Sequence, residues 1–364
     1  RQAVFGSDRG GSYEDIFGVF KNIFVARSTD KSISEKGQDG GIVTALLDWA
    51  FEAGEIDGAI VSAVDEKDKS CFPSPKVVTD REGIRGSSGS WYTYCPNNIA
   101  LTEAADKNLQ SVAFVGVPCQ ITPLRKMKHM DPSFLVTEKK KPKIVSRQRD
   151  YLRGLNDRVN FSIGLFCTEV FLPELMTDRI EKEMGIPLDD VKQINVKSEV
   201  LIYKKTGEVA TIPLAEAMEK YQRPECRHCG DFSAELADIA CGGVGTDRAT
   251  IVVIRTQKGE DIWRQFEAAG KVMVEPIEEN KRAWNILLRL ADRQRDRVPA
   301  GSERSGVTSD SEYDPFVAAS QINSIVRNSN KNEEEKLDCF NAAYVEEVRP
   351  VNSISFFAGQ PIQN

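Results

Sequence analysis

Histidine is scarce: His129 and His228 are the two in 364 residues. That leaves little room for the imidazole-rich sites of most zinc and non-haem iron enzymes. Long apolar runs are also missing. None approaches the roughly 20 residues that span a bilayer, and no secretory signal pattern opens the chain. Positive charge is not in excess either. With 48 Lys and Arg against 55 Asp and Glu, the formal charge is −7, which gives no reason to expect nucleic acid. There is no internal repeat. These absences lead us to expect a cytoplasmic protein that keeps its thiols reduced. What is present is a hydrophobic content of 40%, enough for a proper core, and eight cysteines. In a reducing setting such cysteines are buried hydrophobes, metal ligands or redox groups.

The pattern along the chain reads as α/β: a mostly parallel sheet with helices, an added hairpin and cluster-binding region, and a polar tail. Residues 1–20 are polar and Gly-rich, as in a linker or an N-terminal extension. Ile42 to Phe51 read as a largely apolar helix that opens after Gly40-Gly41. Runs at 58–64, 111–117, 161–166 and 251–254 read as buried strands, with helices expected at 99–107, 121–129, 173–184, 260–269 and 279–295. Strand–helix alternation implies parallel pairing. Lys205-Thr206-Gly207 turns a hairpin within 200–213. Residues 21–295 are thus expected to form the main domain. From 296 to 364 the chain reads as a linker and a polar tail.

Cys119 and Cys167 each close an apolar run, and carboxyl ends of parallel strands are where open α/β sheets place ligands. Cys226-Arg227-His228-Cys229 puts two thiolates on one small loop. A mononuclear zinc site would usually need a second matching pair, and there is none. With Cys119 and Cys167 the total is four, the number a [4Fe–4S] cluster needs. A structural Cys-x-x-Cys or chance spacing is the plainer alternative. Cys71 and Cys339 read as inert buried thiols, while Cys95 and Cys241 sit in Gly-, Ser- or Pro-rich segments where a ligand role stays open.

Gln38-Asp39-Gly40-Gly41 directly precedes a helix. Free N–H groups and the positive end of a helix suit a phosphate there, and glycine lets backbone come close. Asp39 as an ordinary N-cap is the competing reading. Gly86 to Tyr94 combines small residues with three aromatics, as a cradle for a planar cofactor or as a polar loop with core aromatics. Cys241-Gly242-Gly243-Val244-Gly245-Thr246 is not a dinucleotide fingerprint.

Taken in order, these segments resemble the β-subunit family of coenzyme F420-reducing hydrogenase, which includes subunits of F420-dependent formate dehydrogenase and F420H2 dehydrogenase. The carrying strings are Ala26 to Asp30, Gln38 to Thr44, Ser90 to Asn97, Val117 to Gln120 with Arg125 to Met127, Gly164 to Glu169, Cys226 to Cys229, and Ala234 to Asp238. They run from about residue 20 to 295. The resemblance implies FAD, one [4Fe–4S] cluster and coenzyme F420 as hydride donor or acceptor. It implies cluster ligation by Cys119, Cys167, Cys226 and Cys229. FAD contact is carried onto Arg27, Ser28, Gln38, Asp39, Gly40, Gly41 and Thr44, with Tyr92 and Thr93. F420 exchanges a hydride and a cluster single electrons, so a flavin belongs between them. No catalytic residue is then needed. The partners implied are other redox subunits of a larger complex, through which any membrane association would come. Arg125, Lys126 and Lys128 would guide the acidic F420 tail, or form a solvated helix face. The long tail, and Cys241 where a small hydroxyl residue is common, depart from the hydrogenase pattern. Two rivals stay in view: a reductase of the same fold driven by ferredoxin on another substrate, and a zinc-binding adapter.

Overall fold

Four short apolar segments make the middle of the main sheet. The computed structural model describes residues 1–65, 67–129 and 142–298. In chain order the strands are β1 Asn22–Ser28, β2 Gly58–Ala63, β3 Ser74–Val78, β4 Val112–Gly116, β5 Val159–Leu165, β6 Val191–Val196, β7 Glu199–Lys204, β8 Val209–Pro213, β9 Ile239–Gly242, β10 Thr250–Ile254 and β11 Val272–Pro276. Eight form one sheet in the order β11-β1-β10-β9-β5-β4-β2-β3. The centre, β9-β5-β4-β2, is parallel, and the strands outside it pair antiparallel. A parallel centre buried on both faces needs continuous apolar strands. β4 meets that demand with every residue buried, and β10, just outside the centre, is buried throughout as well. Alternation along β4 and β10 sends Val112, Phe114, Ile251 and Val253 into one core and Ala113, Val115, Val252 and Ile254 into the other. One core packs under the Lys281–Asp296 helix and the other under the Ile42–Glu52 and Gln257–Ala268 helices.

The hairpin expected at 200–213 is β7-β8, and β6 joins it in a separate three-stranded sheet. That sheet closes over its own apolar cluster with the Leu175–Glu183 helix. The helices expected at 99–107, 121–129, 260–269 and 279–295 appear as Ala100–Asp106, Pro118–His129, Gln257–Ala268 and Lys281–Asp296.

Residues 1–20 depart from the linker reading. Helices Gln2–Phe5 and Ser12–Phe17 form there. Phe17 is fully buried, its ring 5.6 Å from that of Trp284, and Tyr13 stacks edge-on to the same indole at 5.2 Å. Full burial of one such ring stabilises by about 1.5–3 kcal/mol, which a free linker would forgo. A charge knot completes the dock. Glu235 receives Arg1, Arg9 and Arg295, and these cations hold its carboxyl well below the usual carboxylate range although burial alone would raise it. Arg255, fully buried, donates to the carbonyls of Phe17, Val19 and Ser233, and burial lowers it to about 10. The linker and polar tail were expected from 296; Asp296 still belongs to the last helix, and from 299 onward the tail, with Cys339, lies outside the described residues. No helix among the described residues is long and apolar enough to cross a membrane.

Candidate functional site

All four parallel strands point their carboxyl ends the same way, and the site lies there. Ser62 from β2, Val115 to Val117 from β4, Leu165 to Cys167 from β5 and Cys241 to Val244 from β9 line a cavity of about 740 Å³. A smaller chamber of about 130 Å³ adjoins it. The two share a wall that includes Thr93, Cys95, Gln120, Cys167 and Thr168.

Cys119, Cys167, Cys226 and Cys229 all line the smaller chamber. Cys119 opens the Pro118–His129 helix directly after β4, and Cys167 follows β5. Cys226 and Cys229 come from the short helical turn Pro224–His228 and the residue after it. Cys119 is exposed and the other three are half-buried. Burial pushes the Cys226 thiol up to about 11 and Cys167 well above its ordinary value, the neighbouring sulfurs adding to both. Four crowded thiols that resist ionisation suit a centre whose own positive charge would take the thiolates. Among the described residues, no three His, Cys, Asp or Glu side chains converge closely enough for a single metal ion. What the four cysteines share is the lining of the one small chamber.

The larger cavity is shaped mostly by backbone. Asp39, Gly40 and Gly41 all take positive φ, at 49°, 89° and 69°. Gly41 is the N-cap of Ile42–Glu52 and supplies no side-chain bond, so Asp39 is not the cap. The first amides of that helix stay free of any capping side chain, at a terminus where the helix dipole favours an anion. Glycine at 41 serves the fold more than close approach. A Cβ there would point at the Ile33 carbonyl oxygen, 2.6 Å away, in a conformation L side chains rarely adopt. Close approach belongs to Gly243, where a Cβ would overlap the Asp39 side chain.

Gln38 ties three segments together. Its Nε2 donates to the Tyr92 hydroxyl at 2.9 Å and to Asn195 Oδ1 at 2.8 Å. Its Oε1 is buried with no hydrogen-bond partner in the structure. Tyr92 has φ +58°, and burial pushes its phenol up to about 12. Thr44 shares a 2.8 Å hydrogen bond with Ser88. Burial raises the Asp39 carboxyl to about 6, with Lys197 pulling it part of the way back.

Of the residues nominated from sequence, Gln38, Asp39, Gly41, Thr44, Tyr92 and Thr93 line the larger cavity. Arg27, Ser28 and Gly40 do not. Arg27 lies exposed, 3.5 Å from Glu275, and Ser28 and Gly40 are joined by a backbone bond. Arg125 is likewise engaged elsewhere, donating to Asp238 Oδ1 at 2.9 Å and to the Leu236 carbonyl at 2.8 Å, while Lys126 and Lys128 line neither cavity. Cys241 is buried within β9, on the wall of the larger cavity. Sequence reading missed Asn195 and Lys197, which the third strand of the small sheet delivers, and Arg282 and Ile286 from the last helix. A lone polar residue in a strand gives no signal of its destination.

Comparison with known proteins places the chain among relatives. Residues 23–102 and 109–280 match the family models described as the N-terminal part and the C terminus of the coenzyme F420 hydrogenase/dehydrogenase β subunit. The chain is 36% identical over 277 residues to the coenzyme F420 hydrogenase subunit beta of Methanosarcina barkeri, covering 75% of this chain and 88% of that one. It is 34% identical over 250 residues to a coenzyme F420-dependent sulfite reductase of Methanocaldococcus jannaschii, covering 67% of this chain and 37% of that one. A chain in a structure of the F420-reducing [NiFe] hydrogenase complex from Methanosarcina barkeri superimposes with a TM-score of 0.69 at 35% identity, covering 79% of this chain and 92% of that one.

Proposed function

The chain belongs to the coenzyme F420 hydrogenase/dehydrogenase β-subunit family, and from that premise we propose that it is an electron-transfer subunit of an F420-dependent oxidoreductase. In this reading it holds FAD in the larger cavity and a [4Fe–4S] cluster in the thiol chamber, and works in the cytoplasm with other redox subunits. The shared wall carries the proposal, because Cys167 borders both spaces and so sets a thiolate ligand beside the flavin site.

When bound, FAD would exchange a hydride with F420 and single electrons with the cluster. The chain's own residues bind, orient and exclude water. Cys119, Cys167, Cys226 and Cys229 would ligate iron. The open amides at the start of Ile42–Glu52 offer donors to a phosphate. Asp39, with its carboxyl at about 6, holds a proton on a fraction of molecules near neutral pH and can lend it to a ring carbonyl. Leu165, Phe166 and Ile286 keep part of the wall dry, and Lys197 and Arg282 bring positive charge that suits an acidic deazaflavin tail.

Anaerobically purified protein should show flavin and iron–sulfur absorption together. Rapid mixing with F420H2 should bleach the flavin in both wild type and Cys119→Ser, while electron delivery to a one-electron dye is lost in the variant. A flavin that stays oxidised in intact protein overturns the donor assignment in favour of a ferredoxin-driven reductase. A colourless protein with stoichiometric zinc overturns the redox reading altogether.

A further inference from the structure

Arg297 follows directly on the Lys281–Asp296 helix, beyond residue 280 where the match to the family model ends. Its Nη1 donates to two carbonyls, Thr168 O at 2.7 Å and Cys226 O at 2.9 Å. Thr168 is the residue after Cys167, so one guanidinium nitrogen bridges two cysteine-bearing segments that lie far apart in the chain. Gln294, in the turn before, also reaches the Thr168 carbonyl, at 3.4 Å, and lines the thiol chamber. On its other side Arg297 Nη2 lies 3.8 Å from Glu169 Oε2, a carboxylate whose side chain is 1% exposed.

We propose that Arg297 is a positioning residue of the thiol chamber: it ties the Cys167 segment to the Cys226 turn and fixes a positive charge beside the sulfurs. This rests on the cluster reading given above. Backbone bonds already join the neighbourhood, from Arg223 N–H to the Val170 carbonyl and from Cys167 N–H to Phe232. Neither involves the carbonyl of a ligand cysteine. Arg297 donates a side-chain bond to Cys226 O, and its planar guanidinium turns Nη1 to the two carbonyls and Nη2 to Glu169. A cluster on four thiolates gains negative charge when reduced, and nearby charge and hydrogen bonding set its potential. Glu169, 3.8 Å away, forms an ion pair with the same guanidinium and offsets part of that charge.

Arg297→Gln removes the charge and weakens the bridge. Arg297→Lys keeps a charge but loses the fork. In the full chain, reconstituted anaerobically, two quantities separate these effects: the cluster midpoint potential by redox titration, and the rate of iron loss to a chelator. The Gln variant should titrate at lower potential and release iron about 10- to 100-fold faster, the usual cost of losing an outer partner of a metal ligand. The Lys variant should return toward the wild-type potential yet still release iron faster. Arg264→Gln, on the exposed face of a distant helix, sets the baseline. Wild-type potential and iron release in the Gln variant overturn the proposal. Where that variant does not fold, wild-type iron release in the Lys variant overturns it equally. Wild-type protein that takes up no iron removes the cluster reading and this inference with it, whereas iron-loaded wild type with silent variants removes the inference alone.

Discussion

The thiol chamber is specified by four side chains, and the cavity beside it by backbone. Each sulfur in the chamber arrives on a different kind of support: a helix start, a strand end, a short turn and the residue after it. The larger cavity has no comparable set. Its wall is three successive residues of positive φ, a glycine packed on Asp39, and a hydrogen-bonded triangle of Gln38, Tyr92 and Asn195 that pins the small sheet to the large one. The difference teaches where damage should be abrupt and where graded. Removing one of the four proposed ligands would leave an incomplete coordination sphere. Altering one of many wall contacts leaves most of a cavity standing.

The largest effect should come from breaking the chamber. Cys226→Ser is expected to lose most of the iron of one cluster while far-ultraviolet circular dichroism stays close to wild type. The fold should survive because Cys226 is half-buried and lies outside the three apolar cores. Iron content equal to wild type in this variant and in Cys229→Ser would put the chamber back among ordinary buried thiols.

A smaller effect is expected in the cavity. Gly243→Ala drives a methyl group into Asp39 and narrows the space where the two segments touch. Overpacking of this kind costs about 1–3 kcal/mol, so flavin affinity should fall by roughly 10- to 100-fold with iron content unchanged. Gly154→Ala, where a Cβ meets open space on an exposed stretch of helix, should leave both cofactors alone. Loss of iron in Gly243→Ala would show that the two cavities are not separable. Gly41→Val is a poorer probe, because its side chain collides with Ile33 and strains the fold before it reaches any ligand.

The same contrast explains what could be read from the sequence. Cysteines at strand ends and the Cys-x-x-Cys are local signals, and the structure gathers all four. The parallel centre was legible from its apolar runs, since burial on both faces leaves no polar alternation. β1, on an antiparallel flank, and β9, at the edge of the parallel centre, were not. β1 carries Asn22, Arg27 and Ser28 among apolar residues, and β9 is only four residues long and ends in glycine. Residues 1–20 misled because their Gly-rich spacing hid Phe17 and Tyr13, whose burial depends on Trp284 far along the chain. Asn195 and Lys197 were invisible for the same reason: tertiary packing alone brings β6 to the cavity.

The smallest expected effect concerns a single proton. Asp39 has an ordinary carboxylate value of 3.8, which burial raises to about 6 in the folded chain. A group whose folded value lies above its unfolded value binds its proton more tightly when folded. Its cost to stability is therefore absent below about pH 4, grows between about pH 4 and 6, and is complete above. Asn at this position carries no charge at any pH and has almost the same shape. Allowing for the solvent that still reaches Asp39, the gain of Asp39→Asn over wild type should rise from near zero at pH 4 to about 1–2 kcal/mol at pH 7. Urea unfolding of flavin-depleted protein at pH 4, 5 and 7 measures this, with iron loading held equal. A difference between the two proteins that does not change with pH would mean that Asp39 is solvated or paired, and that the cavity wall is wetter than its packing against Gly243 implies. A difference that grows as expected would show that Asp39 is held out of water against Gly243. It would also separate the proton chemistry of the cavity from the electron chemistry of the chamber.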